Sequence, residues 1–60
     1  MSTMTEKLKE QILAIRDTGE TNMFDTVCVQ RMAYDYGFYE LVLFLEEHKK
    51  EYAHFILTGE

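Results

Sequence analysis

Two arginines and four tyrosines are the side chains of this 60-residue sequence best suited to recognising another molecule. Arg16 and Arg31 each carry a planar guanidinium fork, the natural bidentate contact for an anion. Three of the tyrosines crowd into "AYDYGFYELVLFLEEH", residues 33–48, beside Phe38 and around Gly37. Such rings stack on planar ligands, or bring contact area with few torsions to freeze. Arg16, Arg31, Tyr34 and Tyr39 are therefore the candidate ligand-binding residues, the two tyrosines because they fall off the main apolar stripes. For the arginines, a surface ion pair with Asp17, Glu20 or Asp35 is the competing and favoured state.

Other chemistries lack their residue patterns. The triplet Asp17-Thr18-Gly19 has the letters of an aspartic-protease site, but that chemistry needs two carboxylates sharing a proton. Here the triplet closes a helical segment. His48 and His54 point about 240° apart on a continuous helix and cannot share a metal ion. Cys28 is the only cysteine, so no intrachain disulfide can form, and it is expected as a small buried hydrophobe. Solvated His48 and half-buried His54 are the expected states. No phosphate loop, serine elbow or paired-carboxylate pattern is present. The chain is expected not to be an enzyme and to need no metal or cofactor.

Charge narrows the partners. Six basic against eleven acidic residues give a net charge of −5. Between Asp17 and Glu47 there are seven carboxylates and one cation, Arg31. Duplex DNA, whose affinity comes from phosphate neutralisation by Lys and Arg, is a poor fit, as is an anionic membrane. The start lacks the apolar core of a signal peptide. The longest apolar run, Leu41 to Leu45, is far short of the roughly 18 residues that span a bilayer. A cytoplasmic protein is expected.

These residues must be positioned by helices. Strand-like alternation is missing, and glycines at 19, 37 and 59 each follow a helically periodic segment, where a left-handed residue ends a helix. The pattern predicts an all-α, compact three- to four-helix domain over residues 1–60, with helices at about 4–17, 23–36, 38–49 and 51–57. Thr3 and Glu6 have capping-box spacing at the first start, and Asn22 is the candidate cap of the second. Met4, Leu8, Ile12 and Ile15 form the first apolar stripe, widened by Leu13. Val29, Met32, Ala33 and Tyr36 form the second, with Phe24, Val27 and Cys28 as a further patch. Tyr52, Phe55 and Ile56 form the last, after a bend expected near Lys49. Glu46 and Lys50 are spaced for a helical ion pair.

The third helix carries Leu41, Val42, Leu43, Phe44 and Leu45 in succession. At 3.6 residues per turn these point all round the axis, and a helix apolar on every side is buried. In a three-helix domain two neighbours cannot cover that circumference. Part of it is then expected to meet another chain or a ligand, which makes Tyr36, Phe38, Leu41, Leu43 and Phe44 candidate interface residues and a homo-oligomer the expected assembly. Ala33 and Gly37 also have the spacing of a helix-turn-helix. Its second helix would read Tyr39, Glu40, five apolars, Glu46 and Glu47, which is poor chemistry for a DNA groove.

The segments "TNMFD", "VQ" with Ala33, "GFYELV", "EE" and a closing "Y..FI.TG" occur here in order between about Ile12 and Gly59. In that order and spacing the chain resembles a domain-of-unknown-function family of very short proteins from Gram-positive bacteria (Firmicutes) and their phages and prophages. The resemblance implies a mobile-element accessory protein. Two functions follow as expectations. One is a self-associating, non-catalytic counter-defence protein that sequesters a host immune signal of nucleotide type or blocks a host defence protein. The alternative is a helix-turn-helix-like regulator or assembly factor that docks a partner protein through its apolar third helix.

Overall fold

A computed structural model describes residues 4–59. Four helices follow in order: α1 (Glu6–Thr18), α2 (Thr26–Asp35), α3 (Tyr39–Glu47) and α4 (Lys49–Thr58). The fold is all-α, as the periodicity predicts, and the last segment is a helix of its own.

Local side-chain bonds set where the first two helices start. Thr5 caps α1, its Oγ1 accepting from the Leu8 N–H at 3.1 Å. Thr3 lies outside the described residues, and the cap falls on the hydroxyl two positions later. Asn22 is not the cap of α2. Its Oδ1 accepts from the Phe24 N–H at 2.9 Å, which turns the chain early, and Asp25 then caps the helix through the Cys28 N–H at 3.1 Å. Both residues are good local acceptors; the second carries the helix start. Met23 and Phe24 are thereby left in the turn.

Gly37 shapes the joint between α2 and α3. At φ +79° it occupies the left-handed region, where a side chain would be strained. Its N–H donates to the Tyr34 carbonyl at 3.1 Å, and the Phe38 N–H donates to the Ala33 carbonyl at 2.7 Å. This paired closure is the Schellman motif, and it lets α3 start two residues later. Between α3 and α4 the break is at His48, where φ −135° and ψ 47° leave the helical region. The His48 N–H still bonds the Phe44 carbonyl at 2.7 Å, while the His48 carbonyl accepts from Tyr52 at 3.1 Å. One residue thus ends one helix and begins the next. Glu46 and Lys50 fall on opposite sides of it and form no ion pair; His48 Nδ1 instead lies 3.5 Å from Glu51 Oε1. His48 is half-buried and His54 exposed, the reverse of the expected order.

The core draws on every helix: Leu8, Ile12 and Ile15 from α1; Val29 and Ala33 from α2; Leu41, Phe44 and Leu45 from α3; Tyr52 and Phe55 from α4. Cys28 stays half-buried at its margin. Leu41 and Phe44, expected at an interface between chains, are sealed by the chain's own helices. Val42 is partly covered, and of the five-residue run only Leu43 stands open, at 62% exposure. Tyr36 does not join the α2 stripe. It sits at the helix end, 47% exposed, its ring edge-on to Phe38 at 5.7 Å.

Leu41→Ala is expected to cost about 2–5 kcal/mol in urea unfolding, the range for a fully buried leucine. At a dilution where any contact between copies is lost, Leu43→Ala should stay within about 0.5 kcal/mol of the native chain. Equal losses at the two positions would contradict this orientation of α3.

Candidate functional site

Val27, Gln30, Arg31 and Tyr34 are spaced i, i+3, i+4 and i+7 along α2, so they share one stripe. Val42 and Glu46, i and i+4 on α3, face them. Together these six residues line an open groove of about 380 Å³. The helices are tied across it by Gln30, whose Nε2 donates to the Val42 carbonyl at 3.0 Å. That carbonyl already belongs to a helix, so the amide uses its second lone pair and fixes how α2 lies along α3.

The aromatic pair extends this surface. Tyr34 and Tyr39 meet edge to face, with ring centroids 5.8 Å apart and planes at 66°. Both remain mostly exposed, at 63% and 60%. Leu43 lies one helical turn beyond Tyr39. Tyr34, Tyr39 and Leu43 thus form an exposed apolar strip across α2 and α3, with Val27 two turns from Tyr34 beyond Gln30 and Arg31. Contiguous apolar surface on a small protein marks a contact site more often than scattered exposure does.

The expected ligand-binding residues separate into two places. Arg31 and Tyr34 line the α2–α3 groove, with Tyr39 against Tyr34. Arg16 lies elsewhere, in a groove of about 340 Å³ with Leu13, Phe55, Ile56 and Gly59 between α1 and α4. Lys9 stands near that second groove, its Nζ 5.9 Å from the centre of the Phe55 ring. Neither arginine forms an ion pair among the described residues, so the expected pairing with Asp17, Glu20 or Asp35 does not occur. The bridges that do form join Lys7 to Glu40 at 3.0 Å and Lys9 to Glu6 at 3.7 Å.

Gln30 and Glu46 were not among the expected site residues, and Val27 was assigned only to a patch at the start of α2. The signal for Val27 and Gln30 was present in their spacing with Arg31 and Tyr34. Glu46 was hidden by its spacing to Lys50, which pairs residues only along an unbroken helix. Among the described residues, no three of His, Cys, Asp and Glu gather as a metal site would require. No helix of the structure is long and apolar enough to cross a membrane. The groove therefore offers recognition groups: a free guanidinium, a carboxylate, an amide and a phenol ring over an apolar floor.

With this geometry in place, the comparison with known families is definite. The chain belongs to the family described as Domain of unknown function (DUF5049), whose model matches residues 4–60. No curated protein and no solved structure matches it.

Behind the site, one tyrosine does structural work. Tyr52 is fully buried, and its hydroxyl donates to the Met23 carbonyl at 2.6 Å, fastening α4 to the turn before α2. Burial disfavours the phenolate and raises its pKa from 10.0 to about 12. Below pH 10 the folded and unfolded chains both hold this proton. Between pH 10 and 12 the unfolded chain loses it first, so stability falls as pH rises, by about 2–3 kcal/mol in all. At neutral pH Tyr52→Phe should cost about 1 kcal/mol through the lost hydrogen bond. In alkaline denaturation the native chain's advantage over this variant should shrink and then reverse. Parallel pH curves for the two would show that the hydroxyl is not buried in this way.

Proposed function

We propose that this protein is a non-catalytic binder whose working surface is the face shared by α2 and α3. The observation that carries the reading is the exposure of Val27, Tyr34, Tyr39 and Leu43 beside Arg31, which has no ion-pair partner among the described residues. Leaving a leucine and two tyrosine rings in water forgoes about 1.5–3 kcal/mol for each large side chain that could have been buried. A chain this short, with little core to spare, recovers that by covering the face with a partner.

Protein is the partner class that this chemistry favours. The groove holding Arg31 is also lined by Glu46, so a phosphate bound there would meet a carboxylate. Arg16, the second guanidinium, belongs to the other groove and cannot help. A nucleotide-type signal therefore has less to hold it than a protein surface has. DNA reading has less support still, because α3 exposes Glu40, Glu46 and Glu47 and no cation. The setting we propose, following the resemblance to short phage and prophage proteins of Gram-positive bacteria, is counter-defence in the host cytoplasm. There a compact acidic protein acts through contact with protein rather than through catalysis.

The test is a photo-crosslinking residue placed at position 43 and, as comparison, at Asp17 on the exposed side of α1, in the producing cells. One dominant adduct is expected from position 43, including an adduct between copies, and none from position 17. The same adducts from both positions, or none from position 43, would refute the assignment of this face.

A further inference from the structure

We propose that a second copy of this chain occupies the α2–α3 face, with Arg31 of each copy paired to Glu46 of the other. This rests on the reading of that face as the binding surface and names its occupant. Arg31 and Glu46 line the same apolar groove, one from each helix, and neither forms an ion pair among the described residues. A foreign partner would have to bring an anion and a cation at matching positions. A second copy already carries both.

The symmetry follows from the groove. A two-fold axis lying in the contact plane and running along the groove turns α2 of one copy over α3 of the other. That rotation sets each Arg31 towards the other copy's Glu46, so one contact of opposite charges is made twice, as an isologous interface requires. It also brings Tyr34 of each copy towards Tyr39 of the other, extending the edge-to-face pair already present within one chain. Val27 and Leu43 add apolar contact, and the charged pair meets within the groove.

The area is sufficient. A stable pair takes ~800 Å² from each partner, roughly a fifth of the 4225 Å² that this chain exposes. The four open apolar side chains and the groove walls supply surface of that order. An Arg–carboxylate contact beside them selects the register of the two copies, since a shift of one helical turn would set Glu46 against Asp35.

The experiment is sedimentation of the purified full chain over a dilution series, with far-ultraviolet circular dichroism to confirm that each variant keeps its helices. The native chain is expected at twice its 7.1 kDa mass, dissociating on dilution. Arg31 and Glu46 are both exposed, so Arg31→Glu and Glu46→Arg should fold normally and each weaken pairing by roughly tenfold or more. The double exchange should bring the dissociation constant back to within a few-fold of native. Leu43→Glu, also at an exposed position, should give single copies. A native chain of single-copy mass at every concentration overturns the pairing, as does a double variant no tighter than the single ones. If the native chain is single and the crosslink at position 43 still gives one foreign adduct, self-pairing fails and the binding face stands. A two-copy mass unchanged by Leu43→Glu places the contact elsewhere and overturns the pairing through this face.

Discussion

Five consecutive apolar residues on a helix impose one constraint from which much of this structure follows: they point in every direction, so every direction must be dealt with. The chain answers with its own helices on three sides. Leu41, Phe44 and Leu45 go inward against α1, α2 and α4, and Val42 leans into the groove beside α2. What makes this possible in so few residues is the break at His48, which folds the tail back as α4 rather than letting α3 run on into solvent. The side that remains, at Leu43, is flanked by Tyr39 one turn earlier and by the Tyr34 ring.

The polar fastenings serve the same end. Tyr52 reaches from α4 to the Met23 carbonyl, and Gln30 reaches from α2 to the Val42 carbonyl. Each spends a buried or half-buried side chain on a main-chain acceptor in a distant part of the sequence. A domain with no disulfide and a small core gains more from such directional contacts than from exposed ion pairs. Lys7–Glu40, with both side chains more than half exposed, contributes little by comparison.

Three of the four helix ends were legible in the sequence because glycine after a periodic segment reports a backbone need that no other residue meets as cheaply; α3 ends at His48 without one, so the periodicity left three or four helices open. Starts were less legible. "GETNMFD" contains two acceptors three apart, and either Asn22 or Asp25 can cap a helix; only the turn made by Asn22 itself decides between them. At the first helix, Thr3 and Thr5 posed the same choice. For the site, the exposure of Tyr34 and Tyr39 could be read from their place off the apolar stripes. The fate of Leu41 and Phe44 could not, because it depended on whether residues 49–58 packed back as a fourth helix, and periodicity within one segment carries no information about which neighbour covers it. Separation of Arg16 from Arg31 was hidden for the same reason: it is a property of how α1 and α2 cross the core.

Exposure at Leu43 is better explained by contact than by tolerance. The substitutions that would quiet this face are simple, since a polar residue at position 43, 34 or 39 disturbs no core residue. Instead the face combines a leucine, a valine and two rings with a guanidinium and a carboxylate that find no ion-pair partner among the described residues. An unpaired charge beside apolar surface is stable in water only because water solvates it. Covering the face removes that water, so whatever covers it has to replace both the apolar contact and the charge. The constraint on the partner is therefore severe: it must be apolar at its centre and carry one cation and one anion at the right separation. The same face turned over meets all three conditions, which is the ground of the proposed pairing.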